Sequence, residues 1–111
     1  MSRLDAGVLQ LLPRHLVIVQ ELLRQHLPHT DVWAYGSRVH GGCYEASDLD
    51  LVVRHSTDLT LNTPDLWRVQ EAFSDSDLPI MVQIVDWARI PAAFHAEIEA
   101  GYVVVQDGAT E

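Results

Sequence analysis

There is no lysine in this chain. Its 111 residues carry seven basic side chains, all arginine, against 16 acidic ones, giving a formal net charge of −9. Proteins that bind nucleic acid unaided neutralise phosphates with lysine and arginine. Seven arginines are too few for a broad basic surface, so independent DNA or RNA binding is not expected. There is a single cysteine, Cys43, which excludes an intrachain disulfide and a cysteine-rich zinc site. The six histidines are scattered without the spacing of a metal site. No apolar run approaches the ~20 residues of a membrane-spanning helix. The amino-terminal stretch, with Asp5 close behind Arg3, lacks the pattern of a signal peptide. The expected location is therefore the cytoplasm. No repeat, low-complexity segment or linker divides the chain, and residues 1–111 are expected to form one domain.

The chain is well supplied with apolar residues, 48% of the total, enough for a core. Leu12, Leu16, Val19 and Leu23 recur at helical spacing, which predicts a helix from about Pro13 to His26. Residues 4–12 are compatible with a separate helical turn. Strands are expected at Asp31–Tyr35 and Asp48–Arg54, with a short helix or turn over Arg38–Tyr44 between them, broken by Gly41-Gly42. Thr63 and Pro64 have the chemistry of an N-cap and first helical position, predicting a helix over Pro64–Phe73. A third strand is expected over Ile80–Asp86. A helix opening at Pro91, with Phe94 and Ile98 inward, should stop at Gly101. A last strand follows over Tyr102–Val105, with a frayed tail after Gln106. This order predicts a mixed α/β (α+β) domain with helices packed on a small sheet.

The stretch that concentrates chemistry is Val32–Val53. Gly36-Ser37 ends the first strand, and ten residues separate Ser37 from Asp48. Strand side chains alternate between faces, so Asp48, Asp50 and Val52 share one face, while Leu49, Leu51 and Val53 share the other. Two neighbouring carboxylates on a half-buried strand repel each other unless water or a cation reaches them. A glycine turn with a serine hydroxyl suits an anion. A divalent metal between the acids and a polyphosphate would satisfy both. Arg38 is read either as a surface side chain or as a phosphate ligand. Cys43 is expected to be a small buried or half-buried residue rather than a nucleophile, and Trp33, Trp67 and Trp87 to be core or interface anchors.

The string G-S-R-x-x-G followed by S-D-L-D-L resembles the motif of the minimal nucleotidyltransferases in the DNA polymerase β superfamily. With V-W-A-Y before it and L-P-I-M-V-Q-I-V-D-W after it, the resemblance covers residues 31–105. It implies a polymerase β-like fold and a Mg²⁺-dependent enzyme that moves AMP from ATP onto a hydroxyl. Gly36, Ser37, Arg38 and Ser47 would bind the nucleotide. Asp48 and Asp50 would ligate one or two Mg²⁺ ions, and Ser37 would act with them in catalysis. The family implies a HEPN-domain toxin as partner, neutralised by modification of a tyrosine, with this chain as the antitoxin. A chain of this length lacks the domains that recognise antibiotics, tRNA or DNA in larger relatives, so the acceptor is expected to be a protein.

The chain departs from the family pattern at one place. Gln83 stands where a third catalytic aspartate is expected, with Asp86 three residues on. Asp86 has the opposite strand parity from position 83 and is not expected to substitute for it without a bulge. Glutamine offers a neutral oxygen but neither charge nor a base. A nucleotidyltransferase fold that neutralises its partner by binding alone is the alternative.

Overall fold

The computed structural model describes residues 3–42, 47–55, 59, 63 and 65–108. A 3-10 turn at Ala6–Val8 leads into helix α1, Pro13–His26. There follow strand β1 (Thr30–Tyr35), the single-turn helix α2 (Ser37–His40), β2 (Leu49–His55), α3 (Leu66–Ser74), β3 (Val82–Asp86), α4 (Ala92–Glu99) and β4 (Val103–Gln106). A second 3-10 turn, Trp87–Arg89, joins β3 to α4.

The four strands form one sheet in the order β3-β2-β1-β4. β1 pairs antiparallel with both β2 and β4, whereas β2 and β3 are parallel. Parallel neighbours need a long crossover, and α3 supplies it. The strand alternation read from sequence is realised as two cores. On one face Leu49, Leu51 and Val53 meet Val32, Ala34, Val82, Val103 and Val105, covered by Val19 and Leu23 of α1 and by Val69 and Phe73 of α3. On the other face Trp33, Val52, Trp87, Ile98 and Tyr102 pack together, with Phe94 of α4 against them. Trp33 stacks on Tyr102 at 3.8 Å, and the Arg54 guanidinium lies 3.8 Å from the Trp33 ring centroid. Trp33 and Trp87 are thus core residues as expected, while Trp67 is exposed.

The helix expected over Pro13–His26, the short helix expected after β1 and the two later helices are all present, but some boundaries differ. The helix expected to start at Pro64 begins at Leu66, with Asp65 at its N-cap in the left-handed region (φ 55°). Thr63 does not cap it; its N–H donates to Asp86 Oδ2 at 2.7 Å. Thr63 is held by a tertiary acceptor through its backbone N–H, and Asp65 stands at the helix start in its place. Pro64 lies outside the described residues, as do Cys43 and Tyr44. β3 starts at Val82 rather than Ile80, although the Leu49 N–H already reaches the Met81 carbonyl. The chain is not free after Gln106. The Gly108 N–H donates to Asp31 Oδ1 at 2.8 Å, and Gly108 sits so close to His29 that a Cβ would come within 2.7 Å of its backbone. Residues 109–111 lie outside the described set. Among the described residues no helix is long and apolar enough to cross a membrane.

Candidate active site

The site forms where β1 ends and β2 begins. Gly36 closes β1 at φ +81°, ψ −154°, a conformation that costs a residue with a side chain dearly. It turns the chain into α2, whose Val39 and His40 amides both donate to the Gly36 carbonyl. The missing side chain matters as much as the dihedral. A Cβ on Gly36 would lie 2.5 Å from Asp50 Oδ2. The glycine therefore lets the Asp50 carboxylate lie against the turn. Sequence spacing suggested that turn and carboxylates cooperate, and the fold puts Gly36 and Asp50 in contact.

Asp50 sits between two neighbours on one sheet face. Tyr35 is its antiparallel partner on β1, and Gln83 its parallel partner on β3. Asp48 lies just before β2, and both acids are half-buried. Burial, and secondarily the charge of Asp48, raise the Asp50 carboxyl above the ordinary carboxylate value. Burial and the neighbouring Asp50 push the Tyr35 phenol up to about 12. In both, burial is the larger cause and the neighbouring carboxylate adds to it. The available donors are two carboxylates and the amide oxygen of Gln83. That set of hard oxygens fits Mg²⁺, which is typically held by one or two carboxylates and keeps its remaining positions for water and substrate phosphates.

Gln83 thus occupies the place beside Asp50 where a third acid would complete the set, and Asp86 does not reach it. Asp86 pairs in register with Val53, on the opposite face, and is 4% exposed. Its Oδ1 accepts from the Ala88 N–H and its Oδ2 from that of Thr63, with Arg89 Nε at 4.0 Å. As a member of the site Asp86 is set aside: it caps the 3-10 turn after β3.

Arg38 also differs from expectation. It is neither a surface residue nor turned to solvent, being 7% exposed. Its Nε and Nη2 donate to the Ser47 carbonyl at 3.1 and 2.9 Å, and its Nη1 to the Gln10 carbonyl at 2.6 Å. Ser37, the first residue of α2, is half-buried, as is Ser47. Two contributors were missed in the sequence. Tyr35 flanks Asp50 and meets Phe94 edge-on at 5.6 Å; its position directly before Gly36 was the available signal. Gln70 of α3 donates through Nε2 to the Val82 carbonyl and accepts from the Ile84 N–H at 3.3 Å. It thereby satisfies the outer edge of β3 on either side of Gln83, and nothing in its local sequence marks it.

No family model matches the chain. It is 44% identical over 92 residues to a protein of Haemophilus influenzae named "Probable protein adenylyltransferase MntA", spanning 83% of this chain and 79% of that one. Its fold resembles a chain in a solved structure described as "Crystal structure of the toxin-antitoxin with AMP-PNP", with a TM-score of 0.66 and 20% identity over 86% of this chain and 74% of the other. The glycine turn against Asp50, the mixed sheet beneath it and the identity over most of both chains converge on one conclusion: the chain belongs to the MntA family of minimal nucleotidyltransferases.

Proposed function

We propose that this chain is an antitoxin that transfers AMP from ATP, in the cytoplasm, to a tyrosine hydroxyl of a HEPN-domain toxin and so neutralises it. The observation that carries the reading is the contact of the Gly36 turn with the Asp50 carboxylate, beside Asp48. The Gly36 backbone and the Ser37 hydroxyl hold the nucleotide's phosphates. Asp48 and Asp50 hold Mg²⁺, with the Gln83 amide oxygen beside them; bound there, the ion offsets charge on the polyphosphate. In the transfer, the acceptor oxygen bonds to the α-phosphorus and the bond from that phosphorus to the departing pyrophosphate breaks. Gln83 has no basic group, so the acceptor's proton must pass to another base, of which the Asp50 carboxylate is the one in register beside Gln83. The H. influenzae relative's name and the neighbour's AMP-PNP support an adenine nucleotide.

A second reading is favoured by Gln83 itself. With two carboxylates in place of three, turnover is weakened and the chain neutralises its partner by occlusion. Transfer from α-labelled ATP with Mg²⁺ to the toxin encoded beside this chain separates the two. Label on the toxin, lost in Asp48→Asn while the complex still forms, is the outcome expected of the enzyme. A stable complex without label from either protein would establish occlusion.

A further inference from the structure

We infer that Arg38 is a positioning residue for the acidic pair, a latch that fixes the chain entering β2. This rests on the reading of Asp48 and Asp50 as metal ligands. The residue immediately before Asp48 is Ser47, and its carbonyl receives two donors from one planar guanidinium, at 3.1 and 2.9 Å. Aiming two N–H groups at one oxygen restrains both the position of that peptide and its rotation, so the direction in which Asp48 leaves the backbone is restrained with it. On its other side Asp48 is followed by Leu49, whose N–H is held by the Met81 carbonyl at 2.9 Å. Asp48 is therefore pinned on both sides, by a side chain before it and by the sheet after it.

The latch is itself anchored. Arg38 Nη1 donates to the Gln10 carbonyl, and the Arg38 carbonyl accepts from the Gln10 N–H at 2.7 Å. This reciprocal pair ties α2 to the amino-terminal segment. That segment is tied in turn to the sheet edge, since the Leu4 N–H donates to the Tyr102 carbonyl at 2.8 Å. At the far end of α2 the His40 ring lies against Gly101 so closely that a Cβ there would be 2.6 Å from Cε1. The single helical turn is thus anchored through Arg38, which carries that placement to Ser47. Residues that orient metal ligands without touching the ion govern affinity through geometry.

The test is Mn²⁺ titration of the full chain at neutral pH, followed by paramagnetic broadening of the Gly36 and Asp50 amide resonances, for wild type, Arg38→Gln and Arg38→Lys. AMP-PNP affinity in the absence of metal is measured alongside. Val105→Ala, a cavity in the core far from the acids, supplies the control for lost stability. The expected result is Mn²⁺ affinity about 10- to 100-fold weaker in Arg38→Gln. Arg38→Lys should recover part of it, because lysine has one donor head in place of a fork. Val105→Ala should lose thermal stability and keep the wild-type affinity. Unchanged Mn²⁺ affinity in folded Arg38→Gln would overturn the latch. So would AMP-PNP affinity lost with Mn²⁺ affinity intact, which would make Arg38 a phosphate ligand. Wild type that binds no Mn²⁺ would overturn both the latch and the metal reading on which it rests.

Discussion

Gly36 and Asp50 show how a single side chain, or its absence, sets the site. An alanine at position 36 meets two penalties: a left-handed φ of +81°, and a Cβ 2.5 Å from Asp50 Oδ2. The dihedral alone, with ψ −154° in a region essentially reserved to glycine, costs about 1–3 kcal/mol. The clash displaces Asp50 as well. Gly36→Ala should therefore lower the urea midpoint and, in folded protein, abolish label transfer; a variant that loses stability and keeps full transfer would show that the Asp50 contact is incidental. Asp50 also gives the metal-free protein a pH dependence. Its folded carboxyl binds a proton more tightly than the unfolded chain does. The folded state then holds more protons, so stability falls as pH rises from the ordinary carboxylate value through the raised one, and stays at the lower level above it. Asp50→Asn removes this fall. It should melt higher than wild type at neutral pH in chelator, by less than about 1 kcal/mol, since the half-buried carboxylate is partly screened. The advantage should vanish below the window. Added Mg²⁺ should stabilise wild type and leave Asp50→Asn unmoved, which calorimetric melts across pH with and without the ion will show.

At the scale of elements, β3 illustrates how one short strand separates two jobs. Its residues alternate, so Gln83 lies beside Asp50 while Asp86, three positions on, ends on the far face. Asp86→Ala removes a buried acceptor from two backbone N–H groups, those of Thr63 and Ala88. A loss of about 2 kcal/mol in unfolding free energy is expected. Label transfer per folded molecule should hold, because Asp86 does not face the site; denaturant titration and the transfer assay together check both halves. Loss of transfer at full stability would return Asp86 to the active site. The parity that separates these two residues was visible in the sequence, as were α1 from Pro13 to His26 and the inward faces of β1 and β2. The work of Gln70 was not. It meets β3 across the crossover through backbone groups of Val82 and Ile84, and a glutamine on a helix carries no local sign of which carbonyl it will find.

For the molecule as a whole, the sequence by itself determined the alternation of helices and strands, the apolar faces that divide into two cores, and the spacing that unites a glycine turn with two aspartates. These follow from local periodicity and backbone preference, which depend on residues a few positions apart. It also carried the glutamine at position 83, where the family pattern has an aspartate. The tertiary structure decided the rest: that β3 and β4 are the sheet edges, that Asp86 takes the Thr63 amide, and that Arg38 turns from solvent to the carbonyls of Gln10 and Ser47. Arg38 and Gln10 are 28 residues apart, and Thr63 and Asp86 23 apart. Such partners meet only after the chain has collapsed onto its sheet. A buried donor then takes the acceptor within reach, and which acceptor that is depends on the packing of the whole fold.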